Sequence, residues 1–315
     1  MNTKSNIKQI SCGVPQGSVL GPLLFLIYIN DLCQLSTYFE FILFADDTNA
    51  FASGSNLQQL SLNINAELTL VSDWFASNKL SLNLGKTNFI LFHSRKKVTY
   101  EFSLSFNGHP KTRVSSCKFL GVIIDDRLTW LPHISNIKNK ISKNIGILSR
   151  IRHFINIKTA LMLYYSLIYP YLTYCNIVWA SNYRSRLDAL MKALKRAIRI
   201  VFFLPPGTST RIKSVEHSLL SVSQLNSFLI SQFMFKYSKG LLPTAFKDFF
   251  KPATPHLYHL RFTRAYNPDF ARTNMKFFSI KCTGPRVWSD IPCSITSSLN
   301  FASFKNLSKS FFLIH

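Results

Sequence analysis

Short apolar runs and helix-length patterns alternate over the first 130 residues of the chain. Apolar residues continue over 19–32 and recur at helical spacing from a cap at Ser55 or Asn56 to about Ser77. Between and after these helices, period-two or continuous apolar runs predict strands. The predicted strands cover 7–12, 41–44, 49–53, 80–84, 88–92, 100–106 and 118–124. Strands interleaved with two helices predict an α+β arrangement.

After Trp130 the pattern becomes helical. Apolar residues at helical spacing, with Lys and Arg on the other side, predict helices at about 131–152, 185–203 and 221–239. The segment 159–183 carries no charge, and its length suits a membrane span. Because it also contains Pro170, six tyrosines and several polar residues, a buried helix pair broken near Pro170 is the preferred interpretation. Beyond residue 239 the pattern predicts a largely irregular segment.

Composition and charge narrow the class of protein. With 47% hydrophobic and 16% charged residues, the 315-residue chain is able to bury a large core and is not a disordered tail. The net charge is +23, and residues 128–315 carry +21 of it. Such asymmetry indicates a polyanionic partner, either nucleic acid or an anionic membrane surface. A basic surface without a specific partner is the remaining alternative.

The cysteines indicate a reducing compartment. Six of them occur, at 12, 33, 117, 175, 282 and 293, without Cys-x-x-Cys spacing or a histidine pair that would complete a zinc module. The N-terminal residues lead into no short apolar signal core. We therefore expect reduced thiols in a nuclear or cytoplasmic protein that is not secreted.

The most informative chemistry is the Asp46-Asp47 pair. The apolar run 41–44 precedes it and a second short run follows, which predicts a β-hairpin with two adjacent carboxylates at its turn. An isolated pair of this kind is often a solvated turn. Two neighbouring carboxylates repel each other, however, and a divalent cation such as Mg²⁺ is their natural partner.

Two blocks together carry a family resemblance. Gly13-Val14-Pro15-Gln16-Gly17-Ser18-Val19-Leu20-Gly21-Pro22 and Phe44-Ala45-Asp46-Asp47 resemble the reverse transcriptase domain of non-LTR (LINE-type) retrotransposons. Phe119-Leu120-Gly121-Val122, followed by Leu128-Thr129-Trp130 and His133, extends it. The resemblance implies an RNA-directed DNA polymerase that adds deoxynucleotides to a primer 3′-hydroxyl on an RNA template.

The same resemblance implies roles for individual residues. Asp46 would bridge two Mg²⁺ ions and Asp47 would have the weaker metal role. Lys86, in Leu84-Gly85-Lys86-Thr87, would lie near the triphosphate, with a surface lysine as the equal alternative. Pro15, Gln16 and Gly17 would contact the nucleotide and template, and Phe119, Leu120 and Gly121 would form the primer grip. We interpret the second acidic pair, Asp125-Asp126, as turn and helix-cap chemistry.

By the same resemblance, the chain divides into three parts. They are a partial palm with an antiparallel sheet and the primer grip at 1–127, a basic helical thumb at 128–205, and a basic, mostly helical C-terminal region of unknown role at 206–315. The thumb would hold an RNA template and DNA primer through their phosphates. The lysines and arginines expected on that backbone are Lys138, Lys140, Lys143, Lys192, Lys195, Arg196 and Arg199.

One departure from the family bears on activity. The family has a third metal-binding aspartate and a fingers subdomain before the Pro-Gln-Gly block, whereas twelve residues without an acidic side chain precede Gly13 here. We therefore expect this chain to be inactive as a polymerase on its own, because misaligned metals cost orders of magnitude in rate. The alternatives are a catalytically silent RNA- or DNA-binding module and a non-functional remnant of a retroelement.

Overall fold

The computed structural model describes residues 13–15, 17–93, 102–253 and 265–314. The chain divides into two compact units, Met1–Ser115 and Ser116–His315. Each combines helices with two-stranded antiparallel sheets, in agreement with the predicted α+β class. The functional division at residues 127 and 205 remains a prediction, and the predicted strand at 7–12 lies outside the described residues.

In the described part of the first unit, two α-helices and two hairpins form. They are α1 (Gly21–Ile29), β1 (Glu40–Phe44), β2 (Asp47–Phe51), α2 (Leu57–Ser77), β3 (Ser105–Phe106) and β4 (His109–Pro110). A 3₁₀ helix at Asn30–Gln34 follows α1, so the helix predicted over 19–32 is confirmed. The cap of α2 is Asn56, whose side-chain oxygen accepts hydrogen bonds from the N–H groups of Gln58 and Gln59 at 2.9 and 3.2 Å.

The β1–β2 hairpin has one buried and one exposed face. Phe41 and Leu43 pack against the core of the first unit, which includes buried Leu32, Phe39 and Phe75. The intervening β1 side chains are exposed. This alternation is what the period of two in a strand requires, and the predicted hairpin is confirmed.

The strands predicted at 80–84 and 88–92 are wrong. Leu80, Leu82 and Leu84 do contact the core, yet their backbone is irregular because Asn83 organises a turn. Its carbonyl accepts the N–H groups of Lys86 and Thr87 at 3.0 and 3.1 Å, and these local bonds compete with strand pairing. The second run makes an isolated bridge from Phe89 to Arg113.

The second unit begins with a hairpin and continues mostly as helices. Its elements are β5 (Ser116–Phe119), β6 (Val122–Asp125), α3 (Leu131–Ile151), α4 (Ile157–Leu167), α5 (Tyr169–Thr173), α6 (Asn176–Trp179), α7 (Arg184–Val201), α8 (Arg211–Glu216), α9 (Val222–Ser238), β7 (Lys251–Pro252), β8 (Tyr266–Asn267), α10 (Asn274–Phe277), α11 (Ile280–Asp290), α12 (Cys293–Thr296) and α13 (Phe301–Ile314). The helices predicted at 131–152, 185–203 and 221–239 are confirmed.

The single strand predicted over 118–124 is wrong, because that segment folds back on itself. Phe119 pairs with Val122, which leaves Leu120 and Gly121 as a two-residue turn. Both have positive φ, +44° and +85°, as a type I′ turn requires. Glycine adopts this conformation without strain, so the apolar run reverses at Gly121.

One continuous hydrophobic core joins the helices of the second unit. The stripe Ile134, Ile137 and Ile141 of α3 packs with α7 and is almost fully buried. The same core includes Phe235 of α9 and Phe304 of α13, whose rings stack 4.4 Å apart. The helices of the predicted thumb and those of the C-terminal region are therefore stabilised together.

The uncharged segment 159–183 forms three short helices, α4, α5 and α6, each with one side in the core, where the sequence favoured a buried pair with a break near Pro170. Pro170 lies in the first turn of α5 and separates α5 from α4, while Tyr164, Leu172 and Trp179 are almost fully buried. Among the described helices, none combines the length and the apolar character that crossing a bilayer would take.

The prediction of an irregular segment after residue 239 is wrong for the second half of that segment, where α11 and α13 form. Glycine and proline have the lowest helix propensities, yet Gly284 and Pro285 are both buried inside α11. A side chain on Gly284 would lie 2.8 Å from the sulfur of Met234, so this glycine permits α11 to approach α9 closely. Tertiary packing thus outweighs the low helix propensity of the Gly-Pro pair.

Candidate functional site

Pro15, Gly17 and Ser18 lie just before α1. The N–H of Ser18 donates to the carbonyl of Pro15 at 3.1 Å, and Gly17 has φ of +88°. The Ser18 hydroxyl then accepts the N–H of Gly21, the first residue of α1, at 3.2 Å. Gln16, the predicted template contact, lies outside the described residues. Its role and its position relative to the acidic pair stay predictions.

Asp46 and Asp47 lie at the tip of the β1–β2 hairpin. Because Phe44 pairs with Asp47, the turn consists of Ala45 and Asp46 alone. Ala45 has φ of +50°, a left-handed conformation that costs an L-residue about 1–2 kcal/mol. Strain of this kind is concentrated at functional sites. Asp47 shares the exposed face of the hairpin with Phe44, and both carboxylates are exposed.

The chemistry of this pair fits a hard divalent cation. Within the described ranges neither Asp46 nor Asp47 forms an ion pair. Mg²⁺ is commonly bound by one or two carboxylates together with water and phosphate oxygens, which such a pair allows. No cluster of three or more His, Cys, Asp or Glu side chains forms anywhere in those ranges. The pair therefore offers two of the ligands, and water or substrate oxygens would supply the others.

Lys86 lies on the turn organised by Asn83. Its backbone N–H donates to the Asn83 side-chain oxygen at 3.2 Å, and its own side chain is exposed. Within the described part of the first unit, no hydrogen bond or ion pair joins Lys86 to Asp46 or Asp47. Its proposed place near a triphosphate stays a prediction.

The predicted primer grip is the β5–β6 turn, held by a tyrosine that the sequence did not single out. The Tyr174 hydroxyl donates to the carbonyl of Leu120 at 2.5 Å. A Cβ on Gly121 would lie 3.3 Å from the Tyr174 ring, so the ring also fits against the glycine. Phe119 ends β5 and is half-buried. The three predicted residues thus form the end of β5 and the two-residue turn after it, and Tyr174, which follows α5, supports that turn.

The second acidic pair has a structural role at Asp125. This carboxylate is 7% exposed and accepts three hydrogen bonds, from the N–H and hydroxyl of Thr129 at 2.9 and 2.8 Å and from the N–H of Trp130 at 2.8 Å. The bonds close the loop between β6 and α3. The prediction of turn chemistry is confirmed for Asp125.

The predicted backbone-contacting residues divide into two groups. On α7, Lys192, Lys195 and Arg196 are exposed opposite the buried leucines. Arg199 is half-buried, and its Nε donates to the carbonyl of Thr208 at 2.9 Å, so it also holds the loop after α7. Lys195 lines an open groove of about 570 Å³ between α7 and α9.

On α3, helical geometry separates the three predicted lysines. At 100° per residue, Lys140 and Lys143 are neighbours on one face, whereas Lys138 lies on another. Lys140 and Lys143 are exposed and Lys138 is half-buried.

His133 is a buried polar residue near the predicted primer grip whose contacts the sequence did not reveal. It is 3% exposed and lies four residues before Ile137, at the edge of the apolar stripe of α3. A polar residue at the edge of an apolar helical stripe was the sequence signal that could have indicated this burial. Its Nδ1 accepts the N–H of Ile123 at 3.2 Å, and burial together with the charge of Lys140 lowers its pKa.

Comparison of the chain with protein families indicates the class of protein that it resembles. Residues 1–124 match the family described as reverse transcriptase (RNA-dependent DNA polymerase). This match includes Pro15 and Gly17, the Asp46–Asp47 hairpin and most of the β5–β6 hairpin. The resemblance to reverse transcriptases is confirmed.

Three curated relatives are similar to the chain over 60–66% of its length. The chain is 27% identical over 200 residues to the probable RNA-directed DNA polymerase from transposon X-element of Drosophila melanogaster, covering 60% of this chain and 22% of that protein. It is 26% identical over 218 residues to the RNA-directed DNA polymerase from mobile element jockey of Drosophila melanogaster (66% and 24%). The Pol polyprotein from type-1 retrotransposable element R1 of Bradysia coprophila is 24% identical over 201 residues (62% and 20%).

These relatives are non-LTR retrotransposon polymerases, as the sequence motifs indicated. The chain spans about a fifth to a quarter of their length. No solved structure matches the chain.

Proposed function

We propose that this chain carries part of the catalytic and nucleic-acid-binding surface of a retrotransposon RNA-directed DNA polymerase. The observation that carries the proposal is the turn at Asp46 and Asp47, which presents two adjacent exposed carboxylates within the reverse transcriptase match. The reaction of the whole protein would add deoxynucleotides to a primer 3′-hydroxyl on an RNA template. In this proposal residues 1–127 belong to the palm and 128–205 to the thumb.

Asp46 and Asp47 would hold Mg²⁺ at the hairpin tip. When bound there, Mg²⁺ neutralises phosphate charge and helps to orient the reacting groups. Lys86 would lie beside the triphosphate and supply a positive charge or a proton to the leaving pyrophosphate. Gln16 and the turn around it would contact the template and the incoming nucleotide.

The β5–β6 turn and the basic helices would bind the duplex. Leu120 and Gly121 present a tight, tyrosine-supported turn that suits a grip on the primer end. The exposed lysines of α3 and α7 belong to the half of the chain that carries +21. Contacts of this type bind phosphates irrespective of sequence, as a polymerase requires.

Primer extension tests the catalytic part of this proposal. We expect the 315-residue chain, assayed alone with Mg²⁺, an RNA template and a DNA primer, to give no template-dependent extension. The reason is that the described residues bring two carboxylates to the hairpin tip, whereas the family resemblance implies three. Extension that Asp46→Asn abolishes would contradict the expected inactivity and support the catalytic role of Asp46. Extension that Asp46→Asn leaves unchanged would contradict both the expected inactivity and the catalytic role of Asp46.

A second candidate function is a nucleic-acid-binding module without catalysis. It is favoured by the concentration of positive charge in residues 128–315. This candidate requires an affinity for an RNA–DNA duplex that falls steeply between 50 and 200 mM salt. Fluorescence anisotropy with a labelled duplex measures it, and a flat salt dependence would exclude both candidates.

A further inference from the structure

A cavity of about 320 Å³ opens beside the β5–β6 turn, inside the second unit. Three elements form its wall, so its shape is fixed by tertiary structure. The polar and aromatic residues that line it are Lys118 from β5, His133, Asn136 and Lys140 from α3, Tyr171 from α5 and Tyr174 just after α5. Both lysines have their side chains exposed at the rim.

His133, one of the residues that line the cavity, carries a buried ring nitrogen that has no hydrogen-bond partner within the described residues. Because Nδ1 of His133 accepts the N–H of Ile123, the neutral ring carries its proton on Nε2. This Nε2–H is buried and has no partner within the described residues. An unsatisfied buried donor costs about 1–3 kcal/mol, so an acceptor that reached it would bind favourably.

The charges around the cavity are positive. Among the described ion pairs, none includes Lys118 or Lys140, so no carboxylate neutralises either of them. Lys140 is close enough to the imidazole to oppose its protonation, and its Nζ lies 5.5 Å from the centre of the Tyr171 ring. An anion would relieve this uncompensated charge, whereas a cation would be repelled.

We propose that this cavity binds a phosphate group, held by the Nε2–H of His133, the ammonium groups of Lys118 and Lys140, and the Asn136 side-chain amide. A phosphate presents several acceptor oxygens and forms charge-assisted hydrogen bonds with ammonium groups. The volume accommodates a phosphate and leaves room for part of the molecule that carries it. The site does not depend on the proposed polymerase activity, since it is defined by residues of the second unit alone. The phosphate would belong to a nucleic-acid strand or to a small phosphorylated molecule.

Titration of the full chain with inorganic phosphate tests the site. We expect saturable binding that Lys140→Met and Lys118→Met each weaken about tenfold, the equivalent of one charge-assisted hydrogen bond. The matched control is Lys158→Met, which removes an equal charge from the exposed surface of α4 in the same unit, outside the cavity. An equal loss in the control, or no saturable binding, would overturn the proposal.

His133→Asn examines the buried donor. The asparagine oxygen replaces Nδ1 as acceptor for Ile123, and the donor at Nε2 is lost. We expect about tenfold weaker phosphate binding with a native circular dichroism spectrum. If the fold changes, the His133 ring signals of the unsubstituted chain serve instead. They should shift with phosphate and not with an equal concentration of chloride, and an unshifted ring would overturn the assignment.

Competition distinguishes the two sources of phosphate. A labelled oligonucleotide with a 5′-hydroxyl and a matched one with a 5′-phosphate are displaced by inorganic phosphate at constant ionic strength. Displacement of either places a nucleic-acid phosphate in the cavity, and a preference for the 5′-phosphate identifies a strand end. Saturable phosphate binding without displacement identifies a small phosphorylated ligand.

Discussion

The Asp125 carboxylate accepts hydrogen bonds from both the backbone N–H and the hydroxyl of Thr129. With the third bond from Trp130, this buried group is fully engaged in closing the loop before α3. Asp46 and Asp47 are exposed and form no ion pair with any residue that the structure describes, and this contrast separates the two acidic pairs. The same dipeptide is structural in one unit and available for binding in the other.

Substitution of Asp125 should destabilise the second unit. In Asp125→Asn, the side-chain amide cannot accept from Thr129 and Trp130 at once, so a buried backbone donor loses its partner. We expect a loss of ~2 kcal/mol in the free energy of unfolding, as for hydrogen bonds to a charged group. Urea unfolding followed by circular dichroism measures it. The control Asp126→Asn should change it by less than about 0.5 kcal/mol, and equal effects would show that Asp125 has no special role.

The β5–β6 turn should depend on the absence of a side chain at Gly121. Gly121→Ala forces a left-handed alanine and brings its Cβ to 3.3 Å from Tyr174. Gly207 has nearly the same φ, +86° against +85°, with open space around it. Gly207→Ala should therefore lower the free energy of unfolding by about 1 kcal/mol, the cost of a left-handed backbone alone. Gly121→Ala should lower it by about 1 kcal/mol more, because its Cβ also crowds Tyr174. Equal unfolding free energies for the two variants would show that the Tyr174 ring moves aside without a loss of stability.

Long periodic patterns in this chain predicted its helices well. The stripe from Ile134 to Leu148 and the cap at Asn56 specify α3 and α2 locally, and both helices were placed within a residue or two. The alternation of Leu80, Leu82 and Leu84 predicted which side chains contact the core, yet not the backbone between them. Side-chain burial follows from hydrophobicity, whereas strand formation also needs a partner strand that local sequence does not reveal.

The site was predicted unevenly for a similar reason. The Asp46-Asp47 turn is encoded within a few residues, and the structure has it at a hairpin tip. The support of Leu120 by Tyr174 joins residues 54 positions apart, and the burial of His133 depends on packing against Trp179, 5.5 Å away between ring centres. The position of His133 at the edge of the α3 stripe was a local signal, but the partner residue in each of these two contacts has none. Gln16 lies outside the described residues, so its meeting with the acidic pair stays a prediction.

The basic face of α7 should contribute to salt-dependent binding of nucleic acid. Lys192→Met, Lys195→Met and Arg196→Met should each reduce the slope of log affinity against log salt by about one, because each removes a phosphate contact. Arg199→Met should instead lower stability, by ~1 kcal/mol, since its Nε holds the Thr208 carbonyl. Duplex binding at several salt concentrations and urea unfolding separate the two effects. An unchanged slope in all three of the first variants would place the nucleic-acid contact elsewhere.

His133 should make the stability of the second unit sensitive to acid. Its pKa in the folded chain is lowered from the ordinary value of 6.5, first by burial and then by Lys140, while Lys118 lines the same cavity. As the pH falls below about 6.5, the imidazole binds a proton more readily in the unfolded chain than in the folded chain. The free energy of unfolding therefore decreases. The slope from this group reaches at most about 1.4 kcal/mol per pH unit. The free energy of unfolding, measured from pH 7.5 to 5, should show this slope in the unsubstituted chain. The control His153→Asn, at an exposed histidine, should keep the slope, and His133→Asn should have a weaker one.

Divalent cations should bind at the hairpin tip through Asp46 and Asp47. Mn²⁺ shares the oxygen preference of Mg²⁺ and broadens nearby NMR signals. We expect selective broadening of signals from residues 44–48, lost in Asp46→Asn and in Asp47→Asn. The melting temperature without metal should be unchanged in both variants, because neither carboxylate has a partner among the described ion pairs. The pair Asp125-Asp126 is the internal control, since Asp125 already accepts three hydrogen bonds. Equal broadening at both pairs would mean that Mn²⁺ responds to charge alone, and the hairpin would then have no specific metal chemistry.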